Sequence, residues 1–326
     1  MARLQVRGEL ESVLDWSYEP THPSLRTLYE RAKSAQWSAE HDIDWSIEVP
    51  FGEPLPETSW FSVAAFSSSP LARGGKPMWD MFQWELQSWM VSQFLHGEQG
   101  ALVVAGRLAA TMPDLESKYC AASQAVDEAR HAEVFSRYLR ENVPEPYPIS
   151  PSLRTLLTDI LGDERWDVTA LGMQILVEAL AMAAFRLADR TFHDGLIRSI
   201  VRLVARDEAR HVSFGVLSLE GIYGELTAAE LAEREELVLE GAALMRRRFL
   251  LEDVWERLEV DTAEGVTFAA GHELMVAYRQ AIFARVVTSL GRIGLMTPAV
   301  HDGLSKLDLL GYSSGRAAAV GLGARR

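Results

Sequence analysis

The strongest constraint on this chain is a spacing. The pentapeptide DEARH occurs at Asp127–His131 and again at Asp207–His211. Within each copy the glutamate and histidine are three apart, Glu128 with His131 and Glu208 with His211, so on a helix each pair shares a face. Thirty residues upstream of each of these glutamates stands another, Glu98 in LHGEQGALVV and Glu178 in ILVEALAM. Each interval is broken near its midpoint, at MPD (112–114) and at HDG (193–195). A helix running about 15 residues to such a turn and an antiparallel one running about 15 back return to the same height, roughly 22 Å from the turn. Each half is therefore expected to be a helical hairpin with its two glutamates level.

The two hairpins are joined by ENVPEPYPISP (141–151), which cannot be helical throughout, and by a short helix near 152–161. Together these have the length of a crossover. One glutamate on each of two helices, Glu-x-x-His on each of the other two, and one long crossover make the pattern of a dimetal-carboxylate four-helix bundle. Charge agrees. Glu178 lies in the apolar run ALGMQILVEALAMAAF, and Glu98 is followed by ALVV. Lone carboxylates there would be costly to desolvate, whereas four carboxylates and two divalent ions sum to zero. Oxygen-rich ligands with one imidazole per metal suit iron or manganese better than structural zinc.

The rest of the sequence sets the frame. The 326 residues carry a formal net charge of −14, which argues against a nucleic-acid partner. The single cysteine, Cys120, leaves no disulfide framework or cysteine-based metal site and fits a reducing, cytoplasmic setting. The first residues lack the apolar core of a secretory signal. The run 170–185 is apolar enough to raise a membrane span, but Glu178 at its centre favours a buried helix of a soluble core, with no membrane partner. The fold class is all-α. Residues 1–76 form an N-terminal extension packing on the bundle, with a short helix near 24–35. The bundle occupies 77–223, with helices over 78–111, from MPD to about 141, over 167–193 and over 196–223. Additional helices of the same domain fill 224–310: from Thr227, in a capping box with Glu230, to about 257, then 264–290 and 297–309. The tail, 311–326, is expected to be flexible.

These residues resemble the ferritin-like diiron-carboxylate superfamily over about 28–220. The resemblance is to its oxygen-activating branch: bacterial multicomponent monooxygenase hydroxylases, acyl carrier protein desaturases, arylamine N-oxygenases, and ribonucleotide reductase small subunits with their ligand-binding oxidase relatives. It implies Glu98, Glu128 and His131 on one iron and Glu178, Glu208 and His211 on the other, with some carboxylates bridging. It also implies that Asp127 holds His211 and Asp207 holds His131, with Arg130 and Arg210 paired to those aspartates. The stretch LYERAKSAQWSAEHDIDWS (28–46) resembles the segment before the bundle in reductase small subunits. Each subgroup's accessory residue is replaced. Phe135 stands where a radical-generating subunit carries tyrosine, and Tyr119 and Tyr138 are off that register. Gly100 replaces the cross-linking valine of the ligand-binding oxidases, Val204 the third histidine of arylamine N-oxygenases, and Met182 the threonine of hydroxylases and desaturases. The subgroup is thus left open.

Small residues around the glutamates (Gly97, Gly100, Ala101, Ala179, Ala181, Ala183, Ala184) leave room for an apolar pocket, with Phe135, Met182 and Phe185 as further wall candidates. The same small residues also suit close helix packing. His96, His193 and His272 are expected in structural duty, as are Trp79, Trp84 and Trp89. The implied activity is O2-dependent oxidation of a small organic substrate by hydroxylation, N-oxygenation or desaturation. The implied cofactor is two Fe, with Mn/Fe as the variant. Electrons come from a separate reductase or ferredoxin, and the long apolar helices suggest a homodimer. The alternatives are a ferroxidase or peroxidase-type iron protein and a metal-radical small subunit of a reductase-like complex.

Overall fold

The computed structural model describes residues 4–8, 10–16, 18–56 and 65–311; most of the expected flexible tail lies outside the described residues. Among these, the regular elements are helices, with no strand. In chain order they are α1 (Pro23–Ser34), α2 (Gly75–Thr111), α3 (Leu115–Asn142), α4 (Pro151–Gly162), α5 (Trp166–Thr191), α6 (Gly195–Leu219), α7 (Ala228–Arg248), α8 (Glu252–Arg257), α9 (Thr262–Gly271), α10 (Glu273–Arg292) and α11 (Pro298–Lys306).

Helices α2, α3, α5 and α6 form the bundle. The pairs α2·α3 and α5·α6 are its hairpins, and α3 meets α6 across it. The turns are chemically marked. At MPD, Met112 is extended (ψ 142°) and the Asp114 carboxylate accepts from Ser117 N; at HDG, the Asp194 carboxylate accepts from Ile197 N. Each cap satisfies a helix-end N–H and contributes about 1 kcal/mol. The crossover helix α4 packs against α2 and α7. Its approach depends on Gly100, where a Cβ would lie 2.6 Å from Leu157 Cδ2. Helix α1 lies across α3 and α6, while α7 and α10 cover α5.

Helix α5 is the apolar run. The most apolar window within Trp166–Thr191 has mean hydropathy 1.8 and is 89% buried inside the protein. It is a core helix. Its middle, Leu171–Glu178, is π-helical, flanked by α-helical Trp166–Ala170 and Ala179–Thr191. Such wide turns are rare and concentrate at functional sites. All eight residues of the wide segment are buried, Glu178 among them.

Two boundaries differ from expectation. The helix opened by Thr227, whose capping box with Glu230 is fully formed, stops at Arg248 instead of running to 257. Leu251 takes φ 60° with its side chain buried, and α8 starts after it. The stretch 264–290 is likewise split at His272, which is extended and whose Nδ1 accepts from Leu274 N to begin α10. Buried Arg279 donates to Ala269 O and Ala270 O, satisfying the carbonyls that end α9. Periodicity misses both breaks because the fragments on either side face one core, so the apolar pattern continues across the kink.

Candidate metal centre

The bundle brings Glu98 (α2), Glu128 and His131 (α3), Glu178 (α5), and Glu208 and His211 (α6) to one buried level. All six are at most 5% exposed. Ligand atoms of Glu98, Glu128, His131 and Glu208 lie mutually within 4.8 Å, as do those of Glu128, Glu178 and His211. His131 Nδ1 is 3.2 Å from Glu98 Oε2 and 3.4 Å from both Glu128 Oε2 and Glu208 Oε1. His211 Nδ1 is 3.0 Å from Glu128 Oε1, 3.5 Å from Glu208 Oε1 and 3.8 Å from Glu178 Oε2. Glu128 and Glu208 each approach both imidazoles.

The donor set fits two metal ions. Glu128 Oε2, Glu178 Oε2, Glu208 Oε2 and His211 Nδ1 are buried without a hydrogen-bond partner, an arrangement that costs free energy unless a cation engages them. Protonation preferences carry the same message. Burial, reinforced by the Glu128 charge, holds Glu98 and Glu178 well above the usual carboxylate range. Glu128 is held well below it: burial works the other way, but the His211 and His131 rings outweigh it. Burial alone would favour neutral imidazoles, yet hydrogen bonds that the ring donates to Asp207 and Glu128 hold His131 well above its ordinary value. The charges of Glu128 and Glu208 do the same for His211. Divalent ions bound here would displace the protons that Glu98, Glu178 and the two imidazoles favour.

The outer nitrogens are held across the bundle. His131 Nε2 lies 3.1 Å from Asp207 Oδ2, and His211 Nε2 lies 3.2 Å from Asp127 Oδ2. Arg130 bridges Asp127 (2.5 Å) and Asp207 (3.1 Å), and Arg210 bridges Asp127 (2.9 Å) and Asp207 (2.7 Å). Each aspartate thus presents one histidine of the opposite half, fixing ring orientation and leaving Nδ1 toward the carboxylates.

Three further groups belong to the site. Gln36 Nε2 donates to Asp127 Oδ1 (2.9 Å) and Trp37 Nε1 to Asp207 Oδ2 (2.7 Å). They follow α1 and sit in the stretch whose likeness to a pre-bundle segment was visible, but nothing local tied them to the aspartates. Gln124, one turn before Glu128, donates to Glu178 Oε1 (2.6 Å) and Glu128 Oε1 (3.1 Å), and its Oε1 accepts from Gln174 in the π segment (3.2 Å). Its spacing of four from Glu128 was the available signal.

A cavity opens from Glu98, Glu178 and Glu208. Its walls include Ala101, Phe185, Trp89, Phe94 and Phe249, with Gly97, Ala181 and Ala184 providing space and Arg248 at the end of α7. Gly100, Phe135 and Met182 are not on its walls. Gly100 backs onto Leu157, Phe135 stands behind Phe185 and Phe94 with ring centroids 5.8 Å from each, and Met182 is fully buried. A smaller recess on the other side is lined by Cys120, Gln124, Asp127, Arg210 and His211. Cys120 is 4% exposed, its thiol faces Leu25 O at 3.4 Å, and burial pushes it up to about 12. His96, His193 and Tyr138 have structural contacts. His96 Nε2 meets Tyr147 O at 3.1 Å, His193 packs edge-on against Trp84, and Tyr138 donates to Asp194. Trp84 and Trp89 are core residues, and Trp79 stacks on Phe82.

In solved structures the chain resembles variants of an R2-like ligand-binding oxidase with Mn/Fe cofactor. One, a tyrosine-to-phenylalanine variant, is 17% identical over 85% of this chain and 95% of that one, with TM-score 0.49. Another, an alanine-to-phenylalanine variant, is 17% identical over 85% and 94%, with TM-score 0.48. No curated protein matches the chain. The family model described as P-aminobenzoate N-oxygenase AurF matches residues 100–294, from α2 through α10. Val204, where the arylamine N-oxygenases were expected to carry a third histidine, is fully buried in α6. The chain belongs to the P-aminobenzoate N-oxygenase AurF family and is an O2-dependent dimetal oxidoreductase.

Proposed function

We propose that this protein N-oxygenates a small organic amine at a diiron centre held by Glu98, Glu128, His131, Glu178, Glu208 and His211. One observation carries the reading: the partnerless carboxylate oxygens of Glu178 and Glu208 belong to residues that also line an apolar cavity. Donors for metal and space for substrate therefore meet at the same atoms. Bound iron supplies the electrons and Lewis acidity by which O2 is reduced. The protein's own groups do the rest. Asp127 and Asp207 fix the ring orientation of His211 and His131. Gln124 steadies Glu178. Trp89, Phe94, Phe185 and Phe249 exclude water and seat the substrate body.

Further parts of the reading rest on sequence and chemistry. Electrons come from a separate reductase or ferredoxin, since one cysteine cannot hold an iron–sulfur cluster. The lone buried thiol supports a reducing, cytoplasmic setting. A homodimer is supported by exposed Val103 and Val126 on the two longest helices of the bundle and is tested by light scattering.

The deciding experiment is elemental analysis of protein produced with balanced Fe and Mn, with Glu128→Ala and His211→Ala alongside. About two Fe per chain, lost in both variants while helicity is kept, supports the reading. One Mn and one Fe would change the cofactor assignment to the mixed centre. Full metal content in both variants, or none after anaerobic Fe(II) loading of the wild type, would sink it.

A further inference from the structure

On a chain of net charge −14, one face is basic. Along the outer side of α6, Arg198, Arg202 and Arg206 stand at steps of four and form an exposed stripe. The two acidic residues of α6, Asp207 and Glu208, are buried. Arg186 and Arg190 are exposed near the end of α5. Helix α10 lies beside α5 and adds Arg285 and Arg292, and from Leu274 to His301 the chain has no acidic residue. These arginines are contiguous. Arg202 on α6 pairs with Asp189 on α5 at 2.7 Å. Burial, then the charges of Arg186 and Arg292, hold Arg285 below its ordinary value. Asp189 is engaged by Arg202. Among the described residues no carboxylate stands within ion-pair distance of Arg186, Arg190, Arg198, Arg206, Arg285 or Arg292, and Arg285 Nε is buried without a partner. A chain with 46 acidic residues has carboxylates enough to neutralise this face, yet the helices around it place almost none there. Gathered like charges repel one another until an anion meets them.

The position of the face matters as much as its sign. At 3.6 residues per turn, Arg206 and Glu208 point about 200° apart, one outward and one inward. A group seated on the stripe is separated from the metal residues of α6 by about one helix diameter, roughly 10–12 Å. We infer that this face docks the electron donor: a small acidic one-electron carrier protein of the ferredoxin class, whose surface carboxylates the arginines receive. Guanidinium forks match carboxylates two-pronged. Complementary charge chiefly speeds encounter and sets orientation, which suits a carrier that arrives, delivers and leaves. Each visit oxidises the carrier by one electron and reduces the metal pair by one, so two visits supply a pair. A compact partner fits better than an extended polyanion. Charges are screened beyond about 8 Å at physiological salt, so a small protein meets the basic face alone, whereas a membrane or a duplex also meets the acidic remainder. The inference rests on the dimetal reading, which is what calls for a carrier.

The test uses a plant-type [2Fe–2S] ferredoxin with an acidic surface, titrated calorimetrically into full-length iron-loaded protein at low and at high salt. Wild type is expected to bind at low salt and to lose affinity as salt rises. Arg198→Glu/Arg206→Glu, which spares the Arg202–Asp189 pair, is expected to weaken binding about tenfold or more. Metal content stays unchanged, and reduction of the ferric protein by reduced ferredoxin slows in step. Arg186→Glu/Arg292→Glu reaches the same face from α5 and α10 and is expected to act alike. Arg140→Glu/Arg154→Glu changes net charge equally at exposed arginines of α3 and α4 and is expected to stay within about twofold of wild type. No binding at low salt, binding indifferent to salt, or equal losses in all three double variants overturns the proposal. So does capture of anionic-lipid vesicles or duplex DNA that the two face variants abolish while ferredoxin binding persists, which would give the face to a polyanion. The same titration on metal-free protein separates this inference from the functional reading. Arginine-dependent binding in a chain that takes up no metal keeps the docking face and sinks the dimetal enzyme. Two metals with no arginine-dependent binding do the reverse.

Discussion

Two glutamines and four salt-bridging residues decide how firmly the six side chains of the proposed metal site are held. Gln124 is the sharpest case, because its one amide nitrogen donates to both Glu178 and Glu128. Gln124→Leu keeps size and removes the donor. It is expected to weaken Fe(II) affinity about 10- to 100-fold with unchanged helicity, read by competition against a chromogenic chelator; unchanged affinity would remove Gln124 from the site. A different residue reports on pH. Burial, opposed by the nearby Asp194 and Asp80 charges, holds the His193 imidazole down to about 4. Its folded value is below the unfolded one, so the unfolded chain takes up the proton first as pH falls. The stability this residue confers is complete above about pH 6.5. It declines as pH drops toward 4, by on the order of 3 kcal/mol in total. His193→Gln is expected to flatten the difference between urea denaturation curves at about pH 7 and about pH 5 relative to wild type. The gathering of these six residues was legible at this scale because spacing alone put them on shared faces and at one level. The place of Arg248 on the cavity wall was not: an arginine in a helix's last turn reads as a dipole partner.

The elements meet through particular contacts that periodicity does not encode. Gly100 has the look of a residue making room in the pocket, and the structure instead uses it to seat α4 through Leu157. Gly100→Ala forces a buried leucine to move and is expected to cost about 1–3 kcal/mol in chemical denaturation. A cost under about 0.5 kcal/mol would mean α4 can shift freely. The hairpin turns were readable because Pro113, Asp114 and Asp194 are turn and cap residues by their chemistry. The π segment was not, since Leu171–Glu178 is buried on every side and its two polar residues, Gln174 and Glu178, give no phase that tells a wide turn from an ordinary one. The breaks after Arg248 and at His272 were hidden for the opposite reason: the pattern is clear but continues through them.

At the scale of the molecule, folding and metal binding are one equilibrium. The folded chain gathers four carboxylates and two imidazoles that the unfolded chain scatters, so metal binds the native state and stabilises it by mass action. Thermal unfolding of the Fe(II)-loaded protein is expected several degrees above that of chelator-treated protein, and in Glu128→Ala the two curves are expected to coincide. A chelator-insensitive wild type would mean the site is empty at working concentrations. The bundle and its all-α class were legible from two repeated motifs. The outer layer of α1 and α7 to α11 was visible only as helices, because which face of the bundle each covers depends on contacts distant in sequence.

The state of Cys120 has a practical reach. Its thiol is shut away from solvent and held protonated to about 12, and the sequence contains no other. A maleimide or spin-label reagent at neutral pH therefore finds the native chain silent. A cysteine introduced anywhere on the surface becomes a unique handle, with no background to subtract and no native residue to remove. Labels placed in turn on α1, α7 and α10 would make a paramagnetic metal pair a fixed beacon, against which distances to each covering helix can be measured in solution.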